Sequence, residues 1–304
     1  MKIEFDRSQS GLSVEVVSRY FQNGLIFEQD AFKNRLTPNL VAEFLTFISS
    51  LREQARVWLS EGLITVDQSF HPSKKQILRK GCNPSFVARM YDQQAVPQAF
   101  AESEILYRLI MSALLETMRL EVDSPFSWAS VCSGIDFFSL FFIKKFGCGK
   151  AHLVDLAPKM HELVRRFAAV TQTQESLATH VSDACAIPVE SGSLDFTMCF
   201  NGLHWIKDKP KAISEMKRML NPKGSNMIYI LHVERSCSVS IDGCMHDILE
   251  APPTDFVLDL LESQGFSICL VRQFNGEEGT GQFNNSLQRS FIAAKFTKVA
   301  LFPW

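Results

Sequence analysis

A succession of short apolar runs between Phe126 and Asp208 constrains the fold of this chain more than any other feature. Each run ends at a glycine or a polar residue, and a segment with helical periodicity follows. PFSWASVCSGID precedes FFSLFFIKKFG, and AHLVD precedes APKMHELVRRFAAV. Repeated strand–turn–helix units are typical of an open sheet with helices on both faces. We therefore predict an α/β fold with a Rossmann-like, doubly wound and mostly parallel sheet.

The remaining elements follow from the same patterns of periodicity and turn residues. We predict strands at 126–132, 151–155, 179–182, 194–200 and 227–231, and helices at 137–146, 157–170, 210–220 and 254–264. An irregular insert is expected between residues 237 and 253. A final hairpin, formed by 267–274 and 290–296, completes the sheet.

Residues 1–84 have a different pattern and are predicted to form a mainly helical N-terminal module. Apolar residues recur at helical spacing between Asn39 and Ser60, Gly62 is placed to end that helix, and LITVDQSF is a candidate strand. Helices followed by a short strand are compatible with a winged-helix-like unit. We expect this module to form a homodimer or to cover a site, and residues 85–304 to form the sheet domain.

Charge and cysteine usage exclude several classes of function. The chain has 31 basic and 33 acidic residues, so it lacks the basic excess of a nucleic-acid-binding protein. Its 8 cysteines show no paired spacing, and we expect no metal. The N-terminus carries acids and no long apolar run, and IDFFSLFFI is much shorter than the about 20 residues of a membrane span. We expect a cytoplasmic protein.

Candidate binding residues lie where the predicted strands end. Gly134 follows the first strand, at a turn where a missing Cβ lets backbone N–H groups approach a ligand. Asp155 ends the second strand about 20 residues later, where a carboxylate can accept both hydroxyls of a ribose; the alternative is a helix N-cap. Asp183 ends the third strand and, with the N–H of Ala184, is placed to bind an adenine; the alternative is a loop acid.

Together these segments resemble the class I S-adenosylmethionine-dependent methyltransferases, most closely the small-molecule group called type 11. VCSGIDFFSL is similar to the family's glycine-rich first motif, HLVDLAPKM to its ribose-binding second, and SDACAIPVESGSLDFTMCFNGLHWIKD to its third and fourth. The resemblance covers about residues 85–297. It implies a seven-stranded sheet with an antiparallel last strand, bound S-adenosylmethionine and methyl transfer to a small molecule. The cofactor-binding residues are then Ser130, Cys132, Gly134, Asp155, Leu156, Asp183, Ala184, Asn201 and Trp205.

One departure from the family concerns the first motif, which normally has an acid and three alternate glycines. Here Ser130 replaces the acid, Cys132 and Asp136 replace the outer glycines, and Gly134 is retained. Asp136 is also placed to cap the following helix. The cofactor then binds in an adjusted pose or weakly, or the fold serves another purpose: a non-methylating cyclisation or elimination, or a non-catalytic partner subunit.

His204 is the candidate catalytic base, because it follows the fourth strand and has an unperturbed pKa near 6.5. The alternative is that His204 and Trp205 pack against the cofactor pocket. Tyr91, His232 and His246 are substrate-side candidates on position alone. The insert after the fifth strand is where we expect substrate choice to be encoded, since loops on a rigid scaffold carry specificity.

Overall fold

The computed structural model describes residues 37–64, 126–147, 149–223, 226–234, 238–241, 244–247, 252–275 and 288–296. The helices are α1 Thr37–Ser60, α2 Phe137–Phe146, α3 Pro158–Thr171, α4 Lys209–Met219 and α5 Thr254–Ser263. The strands are β1 Ser127–Val131, β2 Lys150–Asp155, β3 Leu177–Val181, β4 Phe196–Phe200, β5 Met227–Glu234, β6 Ser238–Ile241, β7 Cys244–Asp247, β8 Phe266–Asn275 and β9 Gln288–Phe296.

Seven strands form one sheet in the order β3-β2-β1-β4-β5-β9-β8. The first five pair in parallel, whereas β9 pairs antiparallel with both β5 and β8. This arrangement confirms the predicted Rossmann-like sheet with an antiparallel last strand. From β1 the chain adds β2 and β3 on one side, and then crosses back to add β4 on the other side of β1. The strand order therefore reverses between β1 and β4. Ligands of open α/β sheets bind at such a reversal, beyond the carboxyl ends of the strands.

Both faces of the sheet are buried, because successive strand residues point to opposite sides. In β1, Trp128 belongs to a core that includes residues of α1, α2 and α3, whereas Ala129 belongs to a core with residues of α4 and α5. Phenylalanine fills much of the first core. Fully buried examples are Phe44, Phe137, Phe138, Phe142, Phe167 and Phe291.

Helix α1 packs on the sheet domain. Phe44 meets Phe141 of α2 edge to face with ring centroids 5.1 Å apart, and Trp58 lies 4.9 Å from Phe167 of α3. The helix ends as predicted before Gly62, whose φ of 70° is left-handed. Most of residues 1–84, including most of the candidate strand, lie outside the described residues. The division of the chain near residue 84 therefore stays a prediction.

The region after β5 differs from the sequence prediction. β5 extends to Glu234 rather than ending at residue 231, because it pairs with β9 as far as Gln288. The insert, predicted to be irregular, contains the antiparallel pair β6–β7, so that prediction was wrong. The sequence signal was Asp242-Gly243, a dipeptide that favours two-residue hairpin turns.

Candidate cofactor site

Sharp backbone turns mark the carboxyl ends of the neighbouring strands β1 and β4. Cys132 and Gly134 follow β1 with φ angles of 55° and 52°, and Asn201 follows β4 with a φ of 54°. A left-handed backbone is uncommon outside glycine, and such residues cluster at functional sites. The two turns therefore indicate that a site lies at this edge of the sheet.

Asp155 links the end of β2 to the turn after β1. Its Oδ2 accepts a hydrogen bond from the N–H of Gly134 at 2.8 Å, and its Oδ1 accepts one from the N–H of Ala157 at 2.9 Å. Burial raises the pKa of Asp155, while those two bonds and the nearby His161 act in the opposite direction. Each carboxylate oxygen keeps a second lone pair. The geometry therefore fits a carboxylate that accepts two ribose hydroxyls.

The helix after β2 does not use Asp155 as its cap residue. The N-cap of α3 is Ala157, which makes no side-chain cap bond, and Pro158 occupies the first turn. His161, one turn further on, is fully buried and its Nε2 lies 3.1 Å from the backbone oxygen of Asp155. Sequence reasoning did not identify His161. Its only signal was its position in the helix that follows a candidate ribose-binding acid.

Cys132 places a side chain where the family has a glycine. Its thiol is hydrogen-bonded to Cys199 of β4; that bond, burial and the charges of Asp155 and Asp183 raise the pKa of Cys132 well above its usual value of 9.0. The thiol is therefore neutral at physiological pH. The two charge effects come from the acids that follow β2 and β3, which lie near Cys132.

Gly202 makes room for the Cys132 side chain. A Cβ added at Gly202 would lie 2.3 Å from the Cβ of Cys132 and 3.0 Å from the Sγ of Cys199. The extra side chain in the first turn is thus matched by a missing one in the turn after β4. Neither Cys199 nor Gly202 was predicted as a site residue, because the contact joins two distant segments.

Asp136 caps α2, as one of the two interpretations of its position required. Its Oδ1 accepts the N–H of Ser139 at 3.0 Å, and its Oδ2 accepts the Ser139 hydroxyl at 2.7 Å. The side chain of Ser130, at the end of β1, lies near the same carboxylate. Burial raises the pKa of Asp136, and these bonds lower it.

The residues after β2 and β3 have different environments. Asp183 is exposed, and its Oδ1 accepts the N–H of Cys185 at 2.8 Å, which forms a tight local turn. Ala184 is buried beside it. Leu156 is half-buried, and its backbone N–H acts to lower the pKa of Asp155.

The turn after β4 holds Asn201, His204 and Trp205. The N–H of Asn201 donates to the oxygen of Leu231 in β5 at 3.0 Å, and its buried Oδ1 meets no donor among the described residues. His204 and Trp205 lie in the short 3-10 helix Leu203–Trp205 with ring centroids 5.2 Å apart. Only 6% of His204 is exposed.

The structure describes the substrate-side candidates unequally. His232 is fully buried near the end of β5, and its Nε2 lies 2.7 Å from the oxygen of Pro252. Burial lowers the pKa of His232 to about 4. His246 lies in β7, and Tyr91 lies outside the described residues.

Two further features concern the described ranges as a whole. Within them, no three His, Cys, Asp or Glu side chains are gathered as metal ligands would be. The helices that the structure describes are too short or too polar to span a bilayer.

The strand order, the antiparallel β9 and a carboxylate at the end of β2 are features of class I S-adenosylmethionine-dependent methyltransferase domains. Residues 131–228 match the family model described as a methyltransferase domain, of type 11. S-adenosylmethionine is the cofactor of this class of domain, and Asp155 with the turn at Gly134 fits it.

Particular relatives agree with this class. Malonyl-[acyl-carrier protein] O-methyltransferase of Halorhodospira halophila is 26% identical over 157 residues, which are 52% of this chain and 50% of the relative. The match thus spans half the length of that relative.

Two solved structures share the fold. Phospholethanolamine N-methyltransferase 2 of Haemonchus contortus, solved with S-adenosylhomocysteine, gives a TM-score of 0.55 at 15% identity, covering 71% of this chain and 60% of that one. A geranyl diphosphate methyltransferase in complex with S-adenosylmethionine gives a TM-score of 0.50 at 14% identity. The match covers 66% of this chain and 90% of that one.

Proposed function

We propose that this protein is an S-adenosylmethionine-dependent methyltransferase that transfers a methyl group to a small, apolar molecule. The observation that carries the proposal is the carboxylate of Asp155, which two backbone N–H groups hold at the edge of the sheet, beside the turn at Gly134. A carboxylate fixed in this way can accept ribose hydroxyls without reorganising, which lowers the cost of binding.

The remaining site residues are assigned to parts of the cofactor. Asp183 and Ala184 would bind the adenine, with Leu156 contacting one face of the ring. The turn of Ser130, Cys132 and Gly134 would hold the methionine portion. Asn201 and Trp205 would complete the pocket from the β4 side, and the buried Oδ1 of Asn201 is an acceptor suited to a donor on the ligand.

The cofactor supplies a methyl group that is already activated by a sulfonium centre, so positioning of the acceptor is the main task of the protein. A base is needed only when the acceptor is a weak nucleophile such as a hydroxyl. His204 is our candidate for that base. Its low exposure supports the alternative, in which His204 and Trp205 pack together and shape the pocket.

The acceptor would enter from the side of β5 and the insert. Tyr91, His232 and His246 are the proposed substrate-side residues, and we propose that the insert with the β6–β7 pair encodes substrate choice. The acceptors named for the similar proteins include malonyl-[acyl-carrier protein], a phosphoethanolamine and geranyl diphosphate. Because these differ in kind, the proposal covers O-, N- and C-acceptors.

Partners and location are also proposals. A net charge of -2 supports a small-molecule substrate rather than a nucleic acid. The N-terminal module is proposed to form a homodimer or to cover the site. A cytoplasmic location and a role in secondary metabolism are our working expectations.

Calorimetric titration of the purified protein with S-adenosylmethionine and S-adenosylhomocysteine tests the proposal. We expect micromolar binding of both ligands. Asp155→Asn should weaken binding about 10- to 100-fold, because hydrogen bonds to a charged group contribute about 1.5–3 kcal/mol. The matched control is Asp195→Asn: Asp195 also accepts a backbone N–H, from Ser127 at 2.9 Å, but at the opposite end of the strands.

Two outcomes would favour the other functions. If the wild type binds neither ligand, the turn with Cys132 and Asp136 has closed the site, and a non-catalytic partner subunit becomes the better proposal. If an acceptor is converted without consumption of the methyl donor, the protein is a non-methylating enzyme on a methyltransferase fold.

A further inference from the structure

His161 is a buried histidine that contacts Asp155 from the start of α3. It is fully buried, and its Nε2 lies 3.1 Å from the backbone oxygen of Asp155. A carbonyl oxygen can only accept a hydrogen bond, so Nε2 carries the proton and donates it. The contact therefore fixes both the orientation of the imidazole ring and the position of its proton.

The end of β2 is held by hydrogen bonds on two sides of Asp155. The carboxylate accepts the N–H groups of Gly134 at 2.8 Å and of Ala157 at 2.9 Å. The backbone oxygen accepts the N–H of Ser182, which follows β3, at 3.1 Å, together with Nε2 of His161. The first three of these donors are backbone N–H groups, which almost any residue supplies. The imidazole is the donor among them that depends on the identity of a side chain.

The surroundings of His161 are apolar and do not require a histidine. Its neighbours Met160, Leu163 and Val164 are buried in the core that includes residues of α1, α2 and α3. A leucine at position 161 would be buried there without the desolvation cost of an imidazole. The Nδ1 atom adds to that cost, because it has no hydrogen-bond partner among the described residues. The bond from Nε2 to Asp155 is the contact that offsets this cost.

We propose that His161 positions Asp155 for the ribose of the cofactor, and that this side chain couples α3 to the ribose-binding part of the site. The inference rests on the proposed function. By holding the backbone of Asp155 against α3, His161 keeps the carboxylate within reach of the N–H groups of Gly134 and Ala157. The remaining lone pairs of the carboxylate are then available to the ribose hydroxyls. His161 acts through Asp155, so it is a positioning residue.

Two ligands that differ only in the ribose test this proposal by calorimetry: S-adenosylhomocysteine, and an analogue of it that lacks both ribose hydroxyls, titrated up to millimolar concentration. His161→Leu fills the space but removes the donor. We expect it to weaken the binding of S-adenosylhomocysteine by about 3- to 10-fold, as the loss of one hydrogen bond would, and to leave the binding of the analogue nearly unchanged. This loss of preference for the ribose is a readout that a purely structural role would not change.

A conservative variant tests whether the donor itself matters. His161→Gln places an amide N–H near the position of Nε2, and it should bind S-adenosylhomocysteine within about 2-fold of the wild type. Thermal unfolding shows whether each variant is folded. His161→Met also lacks the donor and adapts its shape to the space, so it takes the place of His161→Leu if that variant does not fold.

Thr171→Val is the matched control, because it removes a buried hydrogen bond at the other end of the same helix. Thr171 is buried, and its hydroxyl donates to the backbone oxygen of Phe167 at 3.0 Å. This variant should lower the melting temperature but leave the affinities for both ligands unchanged.

The inference is overturned if the folded His161→Leu protein binds S-adenosylhomocysteine as the wild type does, or if it loses affinity equally for both ligands. Failure of the wild type to bind S-adenosylhomocysteine would instead overturn the proposed function, so the two failures are distinguishable.

Discussion

Cys132 adopts a left-handed backbone conformation that glycine would adopt at lower cost. Such a conformation costs about 1–2 kcal/mol for a residue with a Cβ. The side chain is accommodated because Gly202 offers no Cβ on the facing turn. The two residues therefore form a steric pair, and each limits what the other position can carry.

We expect Gly202→Ala to destabilise the protein by about 1–3 kcal/mol, because the added methyl group would overlap the Cβ of Cys132. The backbone angles of Gly202, φ -111° and ψ -30°, suit alanine, so the loss comes from this contact. Combining the change with Cys132→Gly should recover most of the stability. Urea unfolding of the four proteins measures the coupling; additive effects would contradict the prediction.

The burial of His232 leads to a separate prediction about how the free energy of unfolding depends on pH. Its pKa is lowered to about 4 by burial, so the folded state holds the neutral form and the unfolded state takes up a proton below about pH 6.5. The contribution of neutral His232 to the free energy of unfolding is thus fully present above about pH 6.5 and is lost as the pH falls toward 4. The loss is about 2 kcal/mol by pH 5. Burial also lowers the pKa of His152 to about 4, so the comparison must isolate His232.

Unfolding free energies at pH 7.5 and pH 5 measure this effect. His232→Gln should show a smaller loss between the two pH values than the wild type, by about 2 kcal/mol. His152→Gln is a useful comparison, because that half-buried histidine should contribute less after solvent screening. An unchanged pH dependence in His232→Gln would refute the prediction.

Several site residues were predictable one at a time, and their contacts were not. Gly134 and Asp155 follow from where strands end, and the structure joins them by a 2.8 Å bond. Cys199 and Gly202 carry no local signal, because each matters through a neighbour distant in the chain, and the only signal of His161 is its position shortly after Asp155. Local pattern identifies a strand end, whereas the pairing of turns depends on the tertiary packing of β1 against β4.

At the scale of elements, α1 is joined to the sheet domain by aromatic packing. Phe44 and Phe141 bury their rings against each other, and Phe47 adds a second contact to Phe141 at 5.6 Å. The ion pair between Glu43 and Lys145 lies at the exposed edge of this contact, where such pairs contribute little. The aromatic contact therefore dominates the attachment.

Phe44→Ala should destabilise the protein by about 3–5 kcal/mol, because it leaves a cavity at a side chain that is 1% exposed. Val57→Ala, on the same helix but 46% exposed, should change stability by less than about 0.5 kcal/mol. Denaturant unfolding measures both. Equal effects would show that α1 is not anchored through this face.

The elements of the repeated strand–turn–helix region were the most predictable part of the chain. The helix at residues 137–146 was placed with its observed bounds, because Asp136 and Gly147 mark its two ends. The strands of the insert were not predicted, since short strands such as β6 and β7 depend on pairing with each other rather than on a long periodic pattern.

At the scale of the whole molecule, ligand binding and folding are linked. A ligand at 100 times its dissociation constant stabilises the folded state by about 2.7 kcal/mol. For a protein of this size we expect S-adenosylhomocysteine to raise the melting temperature by about 4 °C. Asp155→Asn should lose most of this shift at the same ligand concentration in a thermal unfolding assay. A full shift of the melting temperature in that variant would show that Asp155 does not contribute to the cofactor site.

The position of β9 has a consequence for how the chain is made. β9 follows every other described strand in sequence, yet it lies inside the sheet between β5 and β8. While the polypeptide emerges from the ribosome, the edge of β5 stays unpaired until β9 has been synthesised. An unpaired strand edge is a template for association with other chains. Nascent or prematurely terminated chains that lack β9 should therefore depend on chaperones far more than the finished protein does.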